Sequence, residues 1–343
     1  MKNTSNKYTL ICRKNEIPES YTKQLQAFSD KLTIEILNIP PIGPVRDFKF
    51  WKWWRTNKTR FDCFYEPSEQ YPLCVKGGLY TIHDVLYEEF PEKLGKYSLL
   101  KKLYLHHVVK RGLRKADNVI AVSNFTKNEI LKYHGKFAKD KISVVYEGYE
   151  HLDKVRLKTK NEIIDIVKDT NYFLYIGSSR GHKNLYNLFV AFEKAAVDWK
   201  LVVVGRMDRL SENEKSFVEK LNQDKERIIF TGWIDDPLMY TILANASAFC
   251  FPSKSEGFGI PILEAYYFSV PLLCSDIAVF QEVAGNACIK FNPFDVDNIA
   301  KVLKDFTHIS EQERILLLQR QKEQLQKYSW EKAAKLIYEI LKK

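Results

Sequence analysis

No segment of this chain approaches the run of about 18 apolar residues that a membrane-spanning helix requires. The opening MKNTSNKYTLICRKNE has no apolar h-region and reaches charge within a few residues, so it does not read as a secretory leader. No G-x-x-x-x-G-K-[ST] occurs, which argues against a P-loop nucleotidase, and no G-x-S-x-G, which argues against an ordinary α/β-hydrolase. The six cysteines (Cys12, Cys63, Cys74, Cys250, Cys274 and Cys288) contain no C-x-x-C pair, and most sit in apolar, strand-like runs. They read as reduced, buried thiols of a cytoplasmic protein rather than as a disulfide framework. No Cys or His cluster has the spacing of a zinc site. Asp295-Val296-Asp297 follows Asn292-Pro293 and precedes an apolar helix, so Asp295 or Asp297 reads as an N-cap and not as a metal ligand. Asp235-Asp236 before Pro237 reads as a turn. Neither a metal nor a cofactor is expected.

The charge is unevenly placed. Residues 1–160 hold 30 Lys and Arg against 18 Asp and Glu; residues 161–343 hold 23 against 25. The first part therefore carries +12 and the second −2, which sum to the net +10 of the chain. A basic half points to an anionic partner, or to a lysine-rich solvated surface. With 343 residues the chain has room for two domains of about 150 to 180 residues each.

Strands and helices alternate along it. YTLIC (8–12), LTIEIL (32–37), FDCFY (61–65), GLYTIHDV (78–85), NVIAVS (118–123) and KISVVYEG (141–148) read as strands. Between them lie a helix over 19–30, with Tyr21, Leu25 and Phe28 on one side, and a basic helix over 97–115. Ser123 is placed to cap the helix that follows it. The second half continues with YFLYIG (172–177), KLVVVG (200–205), RIIFTGWI (227–234), ASAFCFPS (246–253) and VPLLCS (270–275). Near-continuous apolar strands separated by helices imply parallel sheets covered on both faces. The polar run HLDKVRLKTKNE, near 150–170, marks the passage from one domain to the next. Ligands of such sheets lie beyond the carboxyl ends of the strands.

The segment SKSEGFGIPILEA (253–265) carries the chemistry. Glu256 stands in a loop and Glu264 in the helix after it, with Gly257 and Gly259 between. Glycines let the backbone approach a ligand, and Pro261 costs little in a first helical turn. The free N–H groups and positive dipole end there suit phosphate or sugar oxygens, while two carboxylates accept from hydroxyls at separate points of an extended ligand. The loop GSSRGHKN (177–184) adds Arg180 and Lys183 ahead of a second helix, where cations are unfavourable unless an anion is bound.

With these residues in view, the chain resembles glycosyltransferase family 4, a retaining family of the GT-B type. The resemblance runs through YIGSSRGHKNLYNLFVAF, LVVVG, IIFTGWIDD, SEGFGIPILEA and VPLLCSDIAVFQEVAG, and through TIHDVLYEEFP and DNVIAVSNFTKNEI, covering about residues 60–340. It implies an α/β fold of two doubly wound, Rossmann-like domains facing across a cleft. These are an acceptor-side domain over 1–155 and a nucleotide-sugar domain over 160–327, with the helix at 328–343 packed back on the first. It implies transfer of a hexose from a nucleotide sugar to a saccharide or lipid-linked saccharide. GDP-mannose is favoured as donor, with UDP- and dTDP-sugars as alternatives. It implies that Glu264 holds the ribose, that Glu256 with Gly257, Phe258, Gly259 and Ile260 holds the sugar and diphosphate, and that Arg180 and Lys183 meet the diphosphate. His83, in TIHD, would face the donor sugar from the other domain. His182 stands where the family commonly has arginine.

The first sixty residues depart from the family. The loop RKNEIPES lacks the glycines usual there, and Arg13 and Lys14 can meet an acceptor phosphate or simply be solvated. RDFKFWKWWRTNKTR (46–60) interleaves cations with Phe48, Phe50, Trp51, Trp53 and Trp54. Such a mixture packs its rings on a core, sits at an anionic membrane interface together with 97–115, or stacks nucleic-acid bases. The readings are ranked in that order, and no nucleic-acid partner is expected. The location expected is cytoplasmic, with peripheral contact at the inner face of the plasma membrane. A non-catalytic relative acting as a binding module is the other class, and retention of both glutamates argues against it. Glu264→Ala is expected to weaken nucleoside diphosphate binding, and Glu256→Ala to slow transfer more than it weakens that binding. Wild-type transfer rates in both variants would remove this segment from the site.

Overall fold

A computed structural model of the chain describes residues 6–13, 30–41, 43–90 and 98–342, with single positions 17 and 25. Lys14 and most of the helix expected over 19–30, Tyr21 and Phe28 included, lie outside the described residues. Every strand pairing is parallel. β1 (Tyr8–Arg13) pairs with β2 (Leu32–Leu37), and β3 (Tyr65–Glu66), β4 (Leu79–Ile82), β5 (Asn118–Ala121) and β6 (Ile142–Val144) form a four-stranded sheet in that order. β7 (Tyr172–Ile176), β8 (Lys200–Val204), β9 (Ile228–Phe230), β10 (Ala248–Phe251), β11 (Leu272–Ser275) and β12 (Ile289–Phe291) form a six-stranded sheet in the order β12-β11-β10-β7-β8-β9. The architecture is α/β, with two doubly wound sheets facing across a cleft.

The pleat explains why these strands are apolar without alternation. In β7, Tyr172 and Leu174 enter one buried cluster, with Val202, Phe249 and Leu272, while Phe173 and Tyr175 enter the other, with Leu201, Val203 and Cys250. Successive side chains point to opposite faces, and helices cover both, so each position must be apolar.

The first sheet is covered differently on its two sides. Tyr80, Ile82, Val119 and Ala121 face a core shared with Leu105, Val109 and Leu113 of the helix Ser98–Lys115. Leu79, Ile120 and Val145 face Ala333, Ile337 and Ile340 of the helix Trp330–Leu341. The end of the chain thus returns to close the first sheet. Ser329 caps this helix, and the Glu150 carboxylate accepts from its hydroxyl and from Trp330 N at 2.7 Å. Capping also sets other helix starts: Ser123 accepts from Thr126 N, Asp235 from Leu238 N and Asp295 from Asn298 N. Asp235 is therefore a helix cap rather than a simple turn residue.

The aromatic stretch resolves into two faces of the helix Pro44–Asn57. Trp53 and Trp54 pack with Phe50, Phe61 and Phe64 against the core, Trp54 stacking on Phe61 at 6.0 Å. Phe48 and Trp51 are exposed. A period of 3.6 sends residues 50, 53 and 54 inward and 48, 51 and 52 outward.

Candidate active site at the cleft

The order of the second sheet reverses between β10 and β7. Connections from these neighbouring strands run to opposite sides, which leaves a crevice above their carboxyl ends. The loops at that point are Gly177–Asn184, after β7, and Pro252–Gly259, after β10. They are tied together where Lys254 N donates to His182 O at 2.7 Å. Within the first loop Lys183 N returns to Arg180 O, and Asn184, at φ +60°, donates its side chain to Pro293 O. The helix Leu185–Ala195 then begins.

This brings Lys183 to Glu256: Nζ and Oε1 are 2.6 Å apart, in a position 25% exposed for the lysine side chain and 13% for the glutamate. Arg180 is exposed at the start of the turn, three residues before Lys183. Glu264 lies on the helix Ile260–Tyr267 and is nearly buried. It accepts a hydrogen bond from Tyr240 Oη at 2.9 Å, and His151 Nε2 stands 3.8 Å from the same oxygen. His151 Nδ1 receives the indole N–H of Trp330 at 3.3 Å, so the ring proton sits on Nε2, toward Glu264. The two glutamates therefore sit in different surroundings, one against a cation and one held by the Tyr240 hydroxyl with His151 close by. The Ser253 and Ser255 hydroxyls beside them are buried and have no partner among the described residues.

Gly259 takes φ +101°, a conformation open to glycine, and turns the chain into the helix, where Pro261 occupies the first turn. Phe258 turns its ring away from the cleft and packs on Tyr146 and Tyr328, at 6.1 and 5.6 Å. Only its backbone is offered to a ligand. Gly257 is a point of close approach between the domains. Its carbonyl accepts from Ser123 Oγ at 2.6 Å and from Thr126 Oγ1 at 2.9 Å. A Cβ placed there would stand 1.9 Å from His83 O. Nearby, the Glu282 carboxylate accepts from Asn124 N and Phe125 N, at 2.7 and 3.0 Å, at the start of the helix Asn124–His134. A carboxylate on a helix N-terminus is favourable.

His83 enters the site in an unforeseen way. Its Nδ1 meets Glu147 Oε1 at 3.1 Å and its Nε2 meets Pro67 O at 2.9 Å, so both ring nitrogens are committed within its own half. Two acceptors call for an imidazolium. Burial by itself would lower the pKa, but the hydrogen bond to Glu147 and the charge of Glu69 raise it to about 9. Asp84 accepts from Leu86 N and shapes the loop rather than orienting the ring.

Tyr240, His151, Glu147 and Glu282 join the site only in the fold. Tyr240, His151 and Glu147 lie outside the stretches that carry the family resemblance, and Glu282 lies within VPLLCSDIAVFQEVAG without being marked there as a contact. Thr126 was visible only as part of the helix start after Ser123.

The region 8–151 matches the family model Glycosyltransferase Family 4, and 158–323 matches Glycosyl transferases group 1. The chain belongs to glycosyltransferase family 4. This member is similar to the O-antigen chain mannosyltransferase RfbU of Salmonella typhimurium, with 29% identity over 231 residues, 67% of this chain and 60% of that protein. It is also similar to the O-antigen chain mannosyltransferase B of Escherichia coli, with 26% identity over 278 residues, 78% of this chain and 71% of the other. The chain thus spans about 60% of the length of the first of these relatives. In fold it is similar to WaaG, a glycosyltransferase involved in lipopolysaccharide biosynthesis, at TM-score 0.71 and 15% identity, covering 97% of this chain and 99% of that one. Anabaena HepE in complex with UDP and glucose gives TM-score 0.71 at 16% identity, with 97% and 99% covered. Among the described residues, no helix of this family 4 chain is long and apolar enough to cross a membrane.

The raised pKa of His83 has a signed consequence. Its folded value lies above the ordinary 6.5, so its contribution to stability is complete below about 6.5 and is lost as the pH rises through about 9. The His83 ring proton resonances are expected to titrate near 9, and to return toward 6.5 in Glu147→Gln. A wild-type midpoint near 6.5 would mean that the ring is not held as an imidazolium.

Proposed function

We propose that this chain transfers a hexose, by preference mannose from GDP-mannose, to a saccharide or lipid-linked saccharide acceptor, with retention at the anomeric carbon. The observation that carries the reading is the pairing of Lys183 with Glu256 at the point where the strand order reverses, with Glu264 on the helix that follows the Glu256 loop. The names of the relatives RfbU and O-antigen mannosyltransferase B support mannose and surface-polysaccharide assembly. UDP- and dTDP-sugars are separated from it by thermal shift across a panel of nucleotide sugars. A donor at 100 times its dissociation constant adds about 2.7 kcal/mol of stability.

In this scheme Glu264, fixed by Tyr240, accepts from the ribose hydroxyls. The N–H groups of 257–260 at the helix start, which have no carbonyl one turn back to meet, bind diphosphate and sugar oxygens. Phe258 contributes its backbone only. Donor binding brings a phosphate to Lys183, and Glu256 turns to the sugar hydroxyls. The bond from the anomeric carbon to the β-phosphate oxygen then breaks, its electron pair leaving on the diphosphate. Lys183 and Arg180 stabilise that growing charge. The acceptor hydroxyl attacks the same face and passes its proton to the departing phosphate oxygen. His83 adds fixed positive charge at the far wall, with no ring nitrogen free to move a proton. No metal takes part in the transfer. Closure across Gly257 excludes water and limits hydrolysis.

Because charge grows on the leaving group, Lys183→Ala is expected to lower kcat by about 10² or more. Steady-state kinetics test this, and an unchanged kcat with a raised KM would reduce Lys183 to a binding residue.

Peripheral attachment to an anionic membrane is part of the proposal. Exposed Val45, Phe48 and Trp51 on the helix Pro44–Asn57 accompany exposed Leu99, Leu100 and Leu103 on the helix Ser98–Lys115. Tyr104 Oη donates to Asp47 Oδ2 at 2.6 Å and joins the two helices. Lys49, Lys52 and Arg55 lie exposed on the first helix, and each basic residue at an anionic surface contributes about 1 kcal/mol. Sedimentation with anionic vesicles is expected to carry the protein down, less so at high salt and in the Phe48→Ser, Trp51→Ser double variant. Binding to neither anionic nor neutral vesicles would point to a soluble acceptor. Trp53 and Trp54 are unsuitable for this test, since they belong to the core.

A further inference from the structure

Away from the donor loops, three side chains from separate elements converge on one point. Glu88 follows β4, His106 lies within the helix Ser98–Lys115, and His134 ends the helix Asn124–His134. Their ligand atoms all lie within 4.8 Å of one another. Glu88 Oε1 is 2.6 Å from His106 Nδ1 and 3.7 Å from His134 Nε2. The His134 and Glu88 side chains are 0% and 5% exposed, and His106, at 33%, opens the group to solvent. We propose that Glu88, His106 and His134 form a binding site for a zinc-class divalent ion.

The geometry and the donor set both favour this assignment. Bonds of about 2.0 to 2.1 Å in a tetrahedral zinc site place ligand atoms about 3.3 Å apart, and the two measured separations bracket that value. Side-chain rotation of well under 1 Å, on the order of 0.5 Å, brings both to it. Two imidazoles and one carboxylate select zinc, cobalt or nickel over magnesium or calcium, which prefer all-oxygen shells. The ring centroids of His106 and His134 are 4.6 Å apart. Two charged imidazoles at that distance repel, whereas two neutral rings can share an ion.

The surroundings hold the carboxylate in place. Lys102 Nζ donates to Glu88 O at 2.6 Å and lies 3.4 Å from Glu88 Oε2, which leaves Oε1 facing the two rings. Tyr87 Oη stands 3.1 Å from His134 Nε2, a hydrogen bond that an ion would replace, and the His106 side opens the group to solvent. An outer contact of the kind that Lys102 makes with Glu88 orients a metal ligand.

The ion would be structural. It touches no part of the proposed donor site, but it would pin the segment 84–90 to two helices. Asp84 and Glu89 of that segment line the crevice with Thr126, Glu129 and Glu256, and the Phe90 ring lies 5.9 Å from that of His182 in the lysine loop. The site would set one wall of the cleft without entering the transfer. Sequence spacing offered no sign of it, because the ligands stand 18 and 28 residues apart on three elements.

The test uses the purified full chain, stripped with chelator and titrated with zinc alone by calorimetry and thermal shift. One zinc per chain and a rise in Tm are expected. His106→Ala, at the most exposed ligand, should bind at least about tenfold more weakly while its metal-free Tm stays near wild type. Glu88→Gln and His134→Gln should do the same for binding. Cobalt(II) should give the visible bands of a tetrahedral site in wild type and lose them in His106→Ala. Cys63→Ser, which removes an exposed thiol, should leave zinc binding unchanged. Absence of saturable binding in wild type, equal affinity in His106→Ala, or loss of binding in Cys63→Ser alone would overturn the proposal.

Discussion

Most of the site depends on one carbonyl. The Gly257 oxygen takes hydroxyl hydrogens from Ser123 and Thr126 of the opposite half, and the glycine is close enough to His83 O that no side chain fits between them. A buried carbonyl with two donors is well satisfied, and a contact this tight fixes position in a way that apolar packing alone does not. Glu282 adds charge to the same junction by sitting on a helix N-terminus of the other half. With the halves held there, Glu256 faces a crevice lined from both sides.

The second constraint is topological. Reversal of strand order between β10 and β7 makes two loops neighbours although they lie some seventy residues apart in the chain; Lys183 and Glu256 themselves are separated by 73 positions. Their pairing across 2.6 Å keeps two charges in a partly desolvated place before any ligand arrives. That pairing offsets part of the desolvation cost, and a phosphate can later take the lysine in exchange. Glu264 instead takes the Tyr240 hydroxyl, with His151 Nε2 3.8 Å from the same oxygen. The two acids of one motif are therefore prepared by different neighbours for different partners.

The surface follows the same division. A single helix carries Trp53 and Trp54 into the core and leaves Phe48 and Trp51 outside, so one aromatic-basic run is at once packing and exposed patch. The helix Trp330–Leu341 crosses back from the second half and covers Leu79, Ile120 and Val145, which would otherwise expose one face of the first sheet.

What the residues alone determined was the alternation of buried strands and helices, the cap at Ser123, a cap at Asp295 or Asp297, the glycine-proline turn at 257–261, and the two glutamates beside it. These are local. Strand burial shows in consecutive apolar residues, a cap in one side chain, a turn in the conformations open to glycine and proline. The sequence also marked His83, Arg180 and Lys183 as candidates. Only the tertiary structure decided that both nitrogens of His83 are occupied, that Phe258 turns inward, that Tyr240 holds Glu264 with His151 nearby, and that Glu88, His106 and His134 meet. Those facts depend on contacts between residues far apart in the chain, and no period or spacing along a sequence encodes which distant side chains the packing of two sheets will bring within hydrogen-bonding distance.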